Sequence, residues 1–177
     1  MDALIVEDGS GLSDANTYGE PADVDERARI TLTAPGKRWL QIERSDIKQA
    51  ACLRSAQLLG HLPWRGSRVS STQALSWPRF GTYGHDPILG VGVYGGDSVL
   101  YASNVVPAPV VDAWADLAII LATTDQLGLV DRGAVQSITL GQTSISYASG
   151  VSPSFIPSSV CLGIEHFLDR THYLFRV

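Results

Sequence analysis

The sequence predicts a mainly α-helical fold, a small bundle of three to four helices with one or two β-hairpins. Three observations carry this. Val110, Trp114, Leu117 and Leu121 recur at i, i+4, i+7 and i+11, the spacing of one buried helix face. Ile47, Ala51, Leu58 and Leu62 also fall at helical spacing, with Ala50 and Leu53 widening the face. Residues 87–102 and 135–147 instead alternate along the chain around a two-residue turn containing Gly. A hydrophobic share of 45% against 18% charged residues excludes a disordered chain, and 177 residues suffice for a single domain, 1–177, with its own core.

The elements follow in order. Ala3 to Val6 reads as a short apolar strand, closed by the turn Asp8-Gly9-Ser10-Gly11. Pro21 suits the first position of a helix, which carries Ala22, Val24, Ala28 and Ile30 and ends before Pro35-Gly36. Ser45 can cap the next helix, because its hydroxyl can accept an otherwise unpaired backbone N–H; Pro63 ends that helix. With Gly95-Gly96 as the turn of the first hairpin, Val91 pairs with Leu100 and Val93 with Ser98. The next helix begins near Pro109, and Gly128 fits its C-terminal cap. In the second hairpin, a Gly141-Gln142 turn sets Ile138 opposite Ile145 and Leu140 opposite Thr143. Ser158 or Ser159 caps a last helix running to about His172, and the chain ends in the apolar tail Tyr173-Leu174-Phe175-Arg176-Val177.

The chain shows neither a basic n-region nor an apolar h-region at its start, so no signal peptide is expected. No apolar run of about 18 residues is present, so no membrane span is expected. Cys52 and Cys161 each fall in a predicted helix and read as free buried thiols of a reducing compartment.

Signals of enzyme chemistry are weak. Gly90-Val91-Gly92-Val93-Tyr94-Gly95 matches G-x-G-x-x-G, but a nucleotide site needs a helix N-terminus directly after it to hold the phosphates. The residues that follow run to Pro107 and Pro109 and do not favour one. His61, His85, His166 and His172 lack metal-site spacing; the last two stand about 240° apart around a helix. No Ser has a nucleophile-elbow context, and Asp23, Asp25 and Glu26 read as the solvated face of the first helix. We therefore expect no catalytic residue, no cofactor and no metal, and a protein that is not an enzyme.

The most informative stretch is Leu62 to Gly81, which holds Trp64, Arg65, Arg68, Trp77 and Arg79 in a frame of Pro and Gly. It lies in the longest acid-free part of the chain. From Ile47 to His85 there are five basic residues and no acid, so the rest of this −5 chain sums to 8 − 18 = −10. Two readings are open. In one, the Arg side chains meet phosphates while Trp64, Trp77, Phe80 and Tyr83 serve as stacking platforms for nucleobases. In the other, both Trp anchor the core and Arg65, Arg68 and Arg79 hold the loop or a neighbouring subunit. The acidic balance, with an isoelectric point near 5.2, favours the second, because nucleic-acid binders are usually basic.

The order W-R-G-x-R followed by Q-A-L-x-W-P-R-x-G, at Trp64–Arg68 and Gln73–Gly81, resembles a family of small tailed-phage virion proteins, the head–tail connectors (adaptor or head-completion proteins). Members often carry the label DnaT-like single-stranded-DNA-binding protein. The opening Ala3–Leu12, the Ala15–Tyr18 segment, Val106-Pro107 before an Ala-rich helix, and a late hairpin ending Ser146-Tyr147 are similar too, covering most of residues 1–150. A longer Gly-rich segment at 85–103 and a longer C-terminal tail depart from the pattern.

The resemblance implies a structural virion protein of the neck region, made in the host cytoplasm. It would form a ring, a homododecamer matching the portal, between portal and tail, and line part of the DNA exit channel. The implied partners are the portal protein, neighbouring copies, a tail or stopper protein and, transiently, packaged DNA, with no membrane. The alternative is a single-stranded-DNA-binding module. Residues 87–102 are expected to project as a hairpin. Residues 158–177 are expected to dock on a partner through Phe167, Leu168, Tyr173, Leu174, Phe175 and Val177, which are too apolar for a free terminus.

Overall fold

In a computed structural model, the structure describes residues 3–85, 98–124, 137–140, 143–146 and 156–169. Within them the fold is mainly α: α1 (Pro21–Thr31), α2 (Ala34–Leu40), α3 (Ser45–Gly60), α4 (Ala108–Thr123) and α5 (Ser158–Leu162). Three two-stranded antiparallel pairs accompany the helices: β1 (Ser67–Arg68) with β2 (Arg79–Phe80), β3 (Tyr83–His85) with β4 (Ser98–Leu100), and β5 (Ser137–Leu140) with β6 (Thr143–Ser146).

Helix α4 is the centre. It packs against α1, α2, α3 and α5 and buries Val110, Ala113, Trp114, Ala115, Leu117, Ala118 and Ile119. The expected stripe holds for Val110, Trp114 and Leu117, while Leu121 is half-buried. The helix ends at Thr123 with Thr124 as its C-cap, not at Gly128, which lies outside the described residues.

Helix α3 turns a different face inward from the one its large residues suggest. Ala51, Cys52, Ser55, Ala56 and Leu59 are buried; Ile47, Leu53 and Leu58 are only half-buried, and Ala50 is exposed. The small side chains let α4 approach closely enough for two cross-helix hydrogen bonds. The Ser55 hydroxyl donates to the Trp114 carbonyl at 2.6 Å, and the Trp114 indole N–H donates to the Cys52 carbonyl at 3.0 Å. Both satisfy groups that would otherwise be buried unpaired. The N-cap is Arg44, one residue before the expected Ser45, and the helix stops at Gly60.

Helix α1 starts at Pro21 as expected, with a reciprocal cap between Glu20 and Asp23. It buries Val24 and Ala28, but Ala22 and Ile30 face solvent. Ile30 is two residues from Ala28, about 200° around the axis. Pro35-Gly36 does not mark an empty boundary; it lies in the first turn of the unforeseen α2, where a missing N–H costs nothing. The Thr33 hydroxyl caps α2 by accepting from the Gly36 N–H at 3.1 Å. Arg27 fastens α1 to α4, reaching both Asp112 and Asp116. Asp25 accepts from the Trp39 indole and from Lys48, tying α1 to α2 and α3.

The β5–β6 register is the expected one, with Ile138 opposite Ile145 and Leu140 opposite Thr143. The first hairpin differs. Ser98 pairs with His85 and Leu100 with Tyr83, not with Val93 and Val91, which lie outside the described residues. Tyr83–His85 directly follows the ordered loop, so the Ser98–Leu100 strand returns to that fixed edge. The projecting hairpin expected at 87–102 falls on largely undescribed residues. At the start of the chain the strand is reduced to a single bridge between Val6 and Thr17.

The C-terminal part also departs from expectation. Pro157, not Ser158 or Ser159, is the N-cap of α5, and the helix ends at Leu162. One 3-10 turn follows (Glu165–Phe167), and Leu168 then pairs with Trp64. Phe167 and Leu168 are fully packed in this chain's own core, so they are not free to dock elsewhere. Tyr173, Leu174, Phe175 and Val177 lie outside the described residues. Cys52 and Cys161 are buried free thiols; burial pushes the Cys52 thiol up to about 12 and raises that of Cys161. Among the described residues no helix is long and apolar enough to cross a membrane.

Candidate functional site: the tryptophan–arginine loop

The loop begins where Pro63 diverts the chain from α3. Trp64 folds back at once, its indole N–H donating to the Leu59 carbonyl at 2.8 Å. The C-terminal segment lies alongside, with Arg65 N–H donating to the Phe167 carbonyl and Asp169 N–H to the Pro63 carbonyl, both at 2.8 Å. Trp64 and Trp77 meet edge-on at 5.5 Å, Trp77 meets Phe167 at 5.2 Å, and Tyr101 meets Phe167, also at 5.2 Å. Both Trp residues are buried. Both Trp anchor the core as in the second reading, Trp64 on α3 and Trp77 on the N-terminal segment and the 3-10 turn. The Trp77 backbone N–H donates to the Tyr18 hydroxyl at 3.3 Å, and burial raises that phenol far above its ordinary value.

The three arginines divide. Arg79 spends its guanidinium on the loop itself, donating to the carbonyls of Arg65 and Gly66 at 2.6 Å, Ser76 at 3.1 Å and Trp64 at 3.3 Å. A planar fork of five donors suits such a ring of carbonyls. Burial, and then the nearby Arg68 charge, hold its pKa below the usual arginine value. Arg68 is exposed and makes one long contact, 3.5 Å, to the Gln73 carbonyl. Arg65 is exposed as well, and among the described residues neither Arg65 nor Arg68 has an ion-pair partner. Phe80 is 63% exposed and pairs with Ser67 across β1–β2. Gly66 has φ +70°, and a side chain there would run into the Phe80 carbonyl, so only glycine closes this turn.

Two organising residues lie inside the motifs quoted above but are not among the candidates drawn from them. Gln73 is buried and serves as an internal brace: its amide donates to the Leu75 and Pro78 carbonyls, and its carbonyl accepts from Ser70 N–H. Glu7 is also buried, and its carboxylate accepts from the backbone N–H groups of Gly9, Gly11 and Leu12. That nest shapes the Gly-rich opening so that the Leu12 carbonyl accepts from Ala74 N–H at 2.9 Å. The N-terminal segment and the loop thereby form one unit.

The other candidates do not form a second site among the described residues. His61 is exposed, and the ring of His166 lies 3.9 Å from that of Phe167; the His85 side chain, His172 and Gly90–Gly95 fall outside what is described. Among the described residues no group of three or more His, Cys, Asp or Glu could hold a metal ion.

No curated protein and no solved structure matches the chain. The chain belongs to the family described as "Putative DnaT-like ssDNA binding protein", which it matches over residues 2–160.

Proposed function

From that membership, and from the resemblance of its motifs to head–tail connectors, we propose that this is a structural virion protein of a tailed-phage neck. It forms a ring between portal and tail around the DNA exit channel, and no catalysis is assigned to it. The observation that carries the reading is the use the loop makes of its motif. Trp64 and Trp77 are interior, and Arg79 is consumed by four backbone carbonyls. The motif residues thus build a scaffold and leave few groups to read bases. The acidic balance of the rest of the chain suits a channel through which DNA slides, because like charge prevents sticking. The experiment is capture of the full chain on portal-bearing heads, followed by imaging of the particle. A ring of density at the portal supports the reading, and no binding to heads overturns it.

A second reading, a single-stranded-DNA-binding module, is favoured by one feature. Among the described residues Arg65 and Arg68 are exposed without carboxylate partners, and Phe80 on the paired strand is exposed too, which offers two phosphate contacts and one stacking surface on the same loop. Fluorescence anisotropy with a labelled oligonucleotide at about 150 mM salt separates the two. Tight binding lost in an Arg65→Ala/Arg68→Ala variant establishes the module; weak binding at that salt leaves the scaffold reading standing.

A further inference from the structure

Leu32 is the one non-glycine residue with positive φ among the described residues, at φ +51° and ψ +21°, directly after α1. Glycine or asparagine normally fills this left-handed position, because a Cβ is strained there. Leu32 is also 73% exposed, and Ile30 two residues before it is 66% exposed. A strained backbone and a bare apolar side chain are two separate costs at one residue, and among the described residues no hydrogen bond or core contact of the Leu32 side chain offsets them. Strain of this kind is retained where the side chain has a task.

The surroundings say what kind of surface Leu32 meets. Arg29, Lys37 and Arg38, all exposed, sit on α1 and α2 beside the Ile30–Leu32 corner, and α2 carries no acid. Among the described residues only Arg29 of these three has a counter-charge, a loose contact with Glu26 at 3.6 Å. The matching surface is therefore apolar and acidic. The chain presents one itself: Leu162, 69% exposed at the end of α5, with exposed Glu165 three residues on. Two different patches that complement each other make a head-to-tail contact, the type that closes into a ring.

We propose that the Ile30–Leu32 corner, flanked by Lys37, docks on the Leu162–Glu165 patch of a second copy of this chain. The choice of a second copy rests on the ring reading above; the corner itself does not.

Sedimentation velocity of the full chain tests this. The wild type is expected to self-associate reversibly below roughly 1 mM. Leu32→Gly should weaken association at least tenfold while raising the melting temperature, because glycine relieves the left-handed strain. Glu165→Lys and Lys37→Glu should each weaken it, and mixing those two variants should restore it. A wild type that stays monomeric throughout overturns the proposal. So does a Leu32→Gly protein that melts lower and associates normally, since Leu32 would then be a packing residue. Capture on heads is scored separately. A monomeric chain that still binds portal keeps the connector function and loses this interface, whereas association through Leu32 without portal binding does the reverse.

Discussion

The ring of Trp77 meets the ring of Phe167 edge-on, with centroids 5.2 Å apart and planes at 79°. Ninety residues of sequence separate them, and the contact joins the Trp/Arg loop to the 3-10 turn near the chain's end. Trp77 is fully buried, so Trp77→Ala should cost about 3–5 kcal/mol, and Phe167→Ala a similar amount. The double variant should lose less than the sum by about 0.5–1.5 kcal/mol, the worth of an aromatic pair beyond its buried area. Urea denaturation of the four proteins measures this, and strict additivity would show that the rings touch without coupling.

Arg79 acts as a clamp through hydrogen bonds and not through an ion pair. Arg79→Ala strands several loop carbonyls and should cost about 2 kcal/mol. Arg79→Lys should recover less than half of that, because an ammonium cannot span four carbonyls as a planar fork does. Arg65→Ala, by contrast, should stay within about 0.5 kcal/mol of wild type. Equal effects at Arg65 and Arg79, read from denaturation midpoints, would remove the distinction between clamp and surface charge.

Cys52 ties stability to alkaline pH. Its thiol titrates near 9.0 in the ordinary state and at about 12 when buried. The folded protein therefore keeps a proton that the unfolded chain loses. The contribution is fully present below about pH 9 and is lost as pH rises from there toward 12. Tyr18, raised by burial, acts in the same direction. Urea midpoints should fall between pH 8 and pH 10.5, and Cys52→Ala should flatten part of that slope. A slope unchanged by Cys52→Ala would exclude the thiol as its source. At pH 8 the native thiol should also react with a disulfide reagent far more slowly than in urea.

Much of this fold was legible where local rules decide it. A two-residue turn leaves one register for 135–147, and Ile138 faces Ile145 for that reason. The Pro/Gly frame of Trp64 and Trp77 correctly marked them as anchors. The α3 face was legible only in part: Ala51 and Leu62 of the expected stripe are buried, but Ile47, Leu53 and Leu58 offer a second apolar side, and the small residues won because α4 needed close approach. Helix α2 was hidden because Pro-Gly serves equally as a stop and as a first turn. The bracing roles of Gln73, Glu7 and Tyr18, all within the quoted motifs, were not legible for a different reason. Their partners are backbone groups whose positions exist only once the loop has closed on the N-terminal segment.

The end of the chain separates folding from docking. Phe167 and Leu168 are buried, and Asp169 N–H holds the Pro63 carbonyl, so the core extends at least to residue 169. Truncation after Ile164 removes the ring that covers Trp77 and should leave an unstable protein. Truncation after Asp169 removes Tyr173, Leu174, Phe175 and Val177 but none of these contacts, so it should unfold within about 1 kcal/mol of the full chain. If those four residues dock the connector on the portal, this shorter protein should stay soluble and fail to join portal-bearing heads. Head binding at wild-type level after that cut would assign portal docking to another surface. A large loss of stability would show instead that the tail belongs to the core, and a chimera carrying the last eight residues on an unrelated carrier would then report whether they retain any affinity for the portal.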